Sequence, residues 1–133
     1  MGRRAVSLLL DTHAALWLVQ GDARLSETAV DAIEGLERDE ICISDLLLFE
    51  LTMLISMQRV LIDEPTGAFM EDFASHFHVL PVDARIASLA VELELPQTDP
   101  FDRIFVATAI RHKLPLVTRD RQIRESRLVR TIW

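Results

Sequence analysis

Four carboxylates stand where apolar elements should exclude them. Asp11 closes the run Ser7-Leu8-Leu9-Leu10, and Asp120 follows Leu116-Val117-Thr118. Asp102, in Asp99-Pro100-Phe101-Asp102-Arg103, abuts Ile104-Phe105-Val106-Ala107. Glu50 is the only charge between Leu46 and Met57. A charge beside or inside an apolar element is costly unless something pairs with it. Four such acids with few obvious cationic partners imply a divalent metal ion. A site rich in carboxylate oxygen and free of cysteine favours Mg²⁺ or Mn²⁺ over zinc. Such a metal lowers the pKa of bound water and stabilises charge on a phosphoryl oxygen, and phosphodiester hydrolysis needs both. In this reading Asp11, Glu50, Asp102 and Asp120 hold one or two metals. A carboxylate left over takes a proton from water. Ser44 and Thr118 orient the ligands by hydrogen bonds.

Each acid also has a purely structural reading. Asp11 can cap a helix at His13, and Asp99 a helix opened by Pro100. Asp102 can pair with Arg103 or sit at the positive end of that helix. Asp120 can be a turn residue, and Glu50 can reach the helix surface. Among the histidines, His13 lies near Asp11 and within reach of a substrate, whereas His76 and His78 flank Phe77 at a helix end. Trp17 and Trp133 read as packing residues rather than base-stacking platforms. No glycine-rich phosphate loop, Ser-His-Asp or Cys-His arrangement is present.

The elements that must position these groups follow from period and punctuation. A strand is expected over 5–10 and a short helix over 13–19, ended near Gly21. Ser26 caps a helix to about Arg38, with Glu27 in its first turn. Ile41-Cys42-Ile43 is a brief buried strand, and Ser44 caps a long helix to about Gln58. Pro65 opens a helix to about Phe77, and 79–82 is extended. Asp83 caps a helix to about Leu95, stopped by Pro96. Pro100 opens a helix to about His112. Strands are expected over 116–118 and 128–132. Alternating strands and helices predict a three-layer α/β/α sandwich around a mostly parallel sheet. Ligands collect at the C-terminal ends of strands in such sheets, which makes the four acids neighbours.

The 133 residues fit one domain spanning 1–133, with its own core. No apolar run is long enough for a membrane span, so no membrane role is expected. Arg3 and Arg4 precede an apolar stretch that Asp11 and His13 interrupt, which argues against a signal peptide. The single cysteine, Cys42, excludes a disulfide scaffold and fits a reducing cytoplasm. The net charge of −7 is unevenly spread. Residues 1–98 hold 6 basic and 17 acidic side chains, and residues 99–133 hold 8 basic and 4 acidic. Arg119, Arg121, Arg124, Arg127 and Arg130 therefore form a candidate basic rim for phosphates beside a metal-neutralised pocket, or else a solvated tail. The expected 44–58 helix is apolar around nearly its whole circumference, so part of it should meet another helix, a second copy or a partner.

Taken in order, Leu8-Leu9-Leu10-Asp11-Thr12-His13-Ala14-Ala15-Leu16-Trp17, Ser44 with Glu50, Asp99-Pro100-Phe101-Asp102-Arg103 and Leu116-Val117-Thr118-Arg119-Asp120 resemble the PIN-domain family. The branch most resembled is that of the VapC toxins of bacterial toxin–antitoxin pairs, and the resemblance runs from about residue 6 to Trp133. It implies a Mg²⁺- or Mn²⁺-dependent ribonuclease with an RNA substrate, a cognate antitoxin and a homodimeric state. By the family pattern the metal-site acids fall on Asp11, Glu50, Asp102 and Asp120, with Asp99 as an additional acid of the branch. Arg103, Arg119 and Arg121 are the candidate RNA contacts. The chain departs from the branch at Phe49, where tryptophan is common, in having no base between Leu51 and Gln58, and at Pro96-Gln97-Thr98.

Three competing readings are weaker or less specific. A haloacid-dehalogenase-like phosphatase needs a second aspartate two positions after the first, where this chain has His13. A phospho-accepting receiver needs a lysine just after a late strand, but the only lysine, Lys113, precedes the Leu116 strand. A catalytically silent PIN-like module that only binds protein or RNA is separated from the enzyme by an RNA-cleavage assay.

Overall fold

The computed structural model describes residues 7–96 and 98–133. Positions 5 and 6 of the expected first strand, Arg3 and Arg4, and Gln97 lie outside the described residues. The sheet has five strands: β1 (Leu8–Leu10), β2 (Ile41–Ser44), β3 (His78–Leu80), β4 (Leu116–Val117) and β5 (Thr131–Ile132). Their order is β3-β2-β1-β4-β5, and every neighbouring pair is parallel. Leu9 of β1 registers with Cys42 on one side and Leu116 on the other. Leu8, Leu9 and Leu10 point alternately to the two faces, yet all are buried. Both faces of the central strand are therefore covered, as a parallel sheet requires.

Among the described residues, seven α-helices make the crossovers: α1 (Thr12–Gln20), α2 (Glu27–Ile33), α3 (Asp45–Ser56), α4 (Thr66–Ser75), α5 (Ala84–Glu92), α6 (Pro100–His112) and α7 (Arg121–Ser126). From β1 the chain builds outward through β2 and β3, then crosses back to add β4 and β5 on the other side. The reversal falls between β1 and β4, and a crevice opens there at the strand ends.

Helix α3 is anchored by Leu47 and Leu51, both fully buried, while α6 presents Phe105, Val106 and Ala109 to the same core. A smaller apolar cluster of Ile86, Ala90 and Ala107 joins α5 to α6. Cys42 is buried, and burial with the nearby Asp39 pushes its thiol up to about 11, so it is inert packing.

Three element ends differ from expectation. α2 stops at Ile33 rather than near Arg38, because Glu34 turns extended and Gly35 adopts φ 84°. A single 3₁₀ turn, Arg38–Glu40, follows instead. α5 stops at Glu92 rather than near Leu95, because the Arg103 guanidinium takes up the carbonyls at its end. The expected strand over 128–132 is only Thr131–Ile132, and it is preceded by the unanticipated α7. That helix buries only Ile123, so its apolar period is too short to read.

Candidate functional site: a carboxylate pocket at the sheet's C-terminal rim

Three of the site acids begin helices. Asp11 accepts the amide of Ala14 at 3.0 Å and caps α1. Asp99 accepts the amide of Phe101 at 2.9 Å and caps α6. Asp120 accepts the amide of Ile123 at 2.9 Å and caps α7. Asp102 lies in the first turn of α6. The structural and functional readings of these residues are thus compatible: Asp11 and Asp120 cap helices where a parallel strand hands over to a helix, and Asp99 caps the helix that carries Asp102. Glu50 lies in mid-α3, and the buried Thr12 hydroxyl donates to its Oε1.

Asp11, Glu50, Asp99, Asp102 and Asp120 all line one cavity of about 250 Å³, together with Thr12, His13, Trp17, Arg119 and Trp133. Burial raises the Asp11 carboxyl above its ordinary range, against the lowering effects of Thr118 and the Ala14 amide. Burial also raises Glu50, with further upward pressure from Asp99 and Asp11. Asp102 is pushed up to about 7, first by burial and then by the surrounding charges of Asp99, Asp11, Glu50 and Asp120. Perturbations of this kind concentrate at functional sites. Among the described residues, no three acid, histidine or cysteine side chains are drawn together into a ready-made coordination set. The donor chemistry nevertheless fits a hard divalent cation: oxygen ligands only, mutually repelling, and destabilised by one another's charge.

The supporting residues divide. The Thr118 hydroxyl hydrogen-bonds the Asp11 carboxylate and accepts the Asp120 amide at 3.0 Å, so it links two of the acids. Ser44 does not line the cavity; it is fully buried and caps α3 by accepting the Leu46 amide at 3.2 Å. Its effect on the site is to anchor the helix that carries Glu50.

The three arginines divide as well. Arg119 lines the cavity, with its Cζ 4.9 Å from the Trp17 ring centre. Arg121 does not line it, and its Nε donates to Glu125 at 2.8 Å on the exposed side of α7. Arg103, expected to contact RNA, is redirected. Its Nε donates to the Ala90 carbonyl at 2.8 Å, Nη1 to Leu95 at 2.9 Å, and Nη2 to Val91 at 3.1 Å and Leu93 at 2.5 Å. Orphan carbonyls at a helix end need donors, and a planar fork supplies several at once.

Three pocket residues, Thr12, Trp17 and Trp133, carry no sequence signal for the site, whereas His13 lines it as its place beside Asp11 suggests. Thr12 reaches the site through a bond to Glu50 that spans 38 positions, which no local pattern marks. Trp17 is 2% exposed and does pack, with Trp133 at 6.0 Å and His13 at 5.6 Å between ring centres. Yet all three rings also line the acidic cavity.

The family model for the PIN domain matches residues 8–127. The chain is 36% identical to ribonuclease VapC22 of Mycobacterium tuberculosis, over 96% of this chain and 98% of that protein. Its fold matches the DNA-bound VapBC of Salmonella typhimurium with TM-score 0.72 at 23% identity, over 95% of this chain and 96% of that one. A toxin–antitoxin complex from Klebsiella pneumoniae matches with TM-score 0.67 at 24% identity, over 92% and 95% of the two chains. A cavity of five carboxylates at the switch point of a five-stranded parallel sheet thus stands beside full-length likeness in sequence, and the chain belongs to the PIN-domain family.

Proposed function

We propose that the protein is a divalent-metal-dependent endoribonuclease and the toxin of a toxin–antitoxin pair. The observation that carries this reading is the convergence of Asp11, Glu50, Asp99, Asp102 and Asp120 on one cavity. The full-length relative named a ribonuclease supports the substrate class. Asp11, Glu50, Asp102 and Asp120 would hold Mg²⁺ or Mn²⁺, with Asp99 beside them. When bound, the cation supplies an activated water and stabilises charge on the phosphoryl oxygens. Thr12 holds Glu50, Thr118 holds Asp11 and the Ile123 amide holds Asp120, so three donors keep their places before metal arrives. Asp102, pushed up to about 7, is only partly ionised near neutral pH in the metal-free protein, and metal binding would favour its ionised form. Arg119 brings a fixed positive charge to the cavity wall, where a substrate phosphate would meet it.

An exposed apolar face supports association. Phe49 on α3 is 59% exposed, and Met57, just past its end, is 52% exposed. They continue into a groove of about 390 Å³ lined by Met53, Leu54 and Phe101. A second copy or an antitoxin helix would cover that apolar face. Among the described residues, no helix is long and apolar enough to cross a membrane.

The test is cleavage of an end-labelled single-stranded RNA with Mg²⁺, Mn²⁺ or EDTA. The parent should cleave only with metal, and Asp11→Asn should not. Metal-dependent binding without cleavage would favour a silent binding module.

A further inference from the structure

A second cavity, of about 280 Å³, shares His13 and Trp17 with the acidic one, so the two adjoin across that wall. Its character is inverted. No carboxylate lines it, and it holds two arginines, Arg24 and Arg59, together with Gln20 at the end of α1. Trp17 bears a guanidinium from each cavity: Cζ of Arg119 lies 4.9 Å from its ring centre and Cζ of Arg24 5.0 Å. Asp22 fixes Arg24 through Nε at 3.1 Å and Nη2 at 2.8 Å. Arg59 is different. It follows Gln58, which adopts φ 59° at the end of α3, and is exposed. No ion pair holds it among the described residues. In an acidic chain it is the only lysine or arginine between Arg38 and Arg85.

We propose that this second cavity is a phosphate subsite for the same RNA strand, resting on the ribonuclease reading above. One phosphodiester lies at the carboxylates, and the neighbouring phosphate meets Arg59 and the stacked Arg24. The nucleotide between them crosses the exposed ring of His13, which offers a face for a base. The strand therefore runs from Arg119 over α1 toward the end of α3, and not along the α7 arginines.

A dinucleotide has one phosphodiester and fills only the acidic cavity, whereas a longer single strand reaches both. Arg59→Gln should raise KM for the longer RNA severalfold and leave kcat/KM for the dinucleotide unchanged. Arg24→Gln should act in the same sense. Independently of catalysis, binding of the longer RNA in EDTA should lose about 0.7 from its log–log salt slope with Arg59→Gln, the value for one single-strand phosphate contact. Arg59→Lys should retain that slope. Equal loss on both substrates, or an unchanged salt slope in Arg59→Gln, overturns the subsite. A parent that binds but never cleaves, while Arg59→Gln still loses slope, keeps the subsite and removes the ribonuclease reading. A parent that does not bind single-stranded RNA overturns both.

Discussion

At the scale of single residues, the acids were legible because each one breaks an apolar pattern. Asp11, Glu50, Asp102 and Asp120 stood out against their neighbours, and all four line the cavity. Thr12, Trp17 and Trp133 were not legible as pocket residues. Their relevance depends on contacts far apart in sequence, and a buried tryptophan looks the same whether or not its edge borders a cavity. Arg103 misled because its position beside Asp102 resembles a site cation, while its guanidinium completes α5. The strain in the acidic cavity has a measurable consequence. Asp102, with its pKa raised to about 7, binds its proton more tightly folded than unfolded. Its contribution to stability is complete below the ordinary carboxylate value and is lost as pH rises toward 7. Burial-raised Asp11 and Glu50 act in the same direction. Metal-free protein should therefore melt lower at pH 8 than this site would allow at pH 5. Asp102→Asn should flatten that slope and raise the metal-free Tm at pH 8. It should also abolish the Tm rise that Mg²⁺ or Mn²⁺ gives by binding the native state. Thermal melts across pH, with and without metal, check this; an undiminished metal-dependent rise in the variant would remove Asp102 from the site.

At the scale of elements, the caps announced helix starts well, and Ser26, Ser44, Asp83 and Asp99 all begin the helices expected of them. Helix ends were less legible, since they depend on partners elsewhere in the chain. The end of α5 is set by Arg103, from the following helix, through bonds to the Ala90, Val91, Leu93 and Leu95 carbonyls. Arg103→Lys keeps the charge but loses the fork, and should cost about 2 kcal/mol by urea denaturation. An unchanged urea midpoint would show that water replaces the fork without loss. The end of α1 is local. Gly21 sits at φ 63° with nothing within 4 Å of a built Cβ, so only backbone conformation resists a side chain there. Gly21→Ala should cost about 1 kcal/mol in the same assay. α7 carries no sequence signal, because six residues with one buried side chain leave no period.

At the scale of the whole molecule, alternating elements revealed a parallel sheet, but not the strand order that brings Asp11 beside Asp120. That order comes from long-range pairing of β1 with both β2 and β4. The circumferential apolar pattern of α3 was legible too, and the chain's own packing leaves Phe49 and Met57 more than half exposed. Association through this face predicts that the parent scatters light as more than a monomer and that Phe49→Glu shifts it toward monomer. A monomeric parent that also ignores the product of its neighbouring gene would contradict a role for the face. The central claim, that the carboxylate cavity is a metal-dependent RNA-cleaving site, is tested most directly by one comparison. Cleavage of a single RNA is measured with metal for the parent, Asp11→Asn, Glu50→Gln, Asp102→Asn and Asp120→Asn, each confirmed as folded by its melting transition. The account predicts parent cleavage that EDTA removes, and a loss of about 100-fold or more in every variant, as removal of groups central to transition-state stabilisation produces. Parent-like cleavage by all four variants, or full parent activity in EDTA, would contradict it.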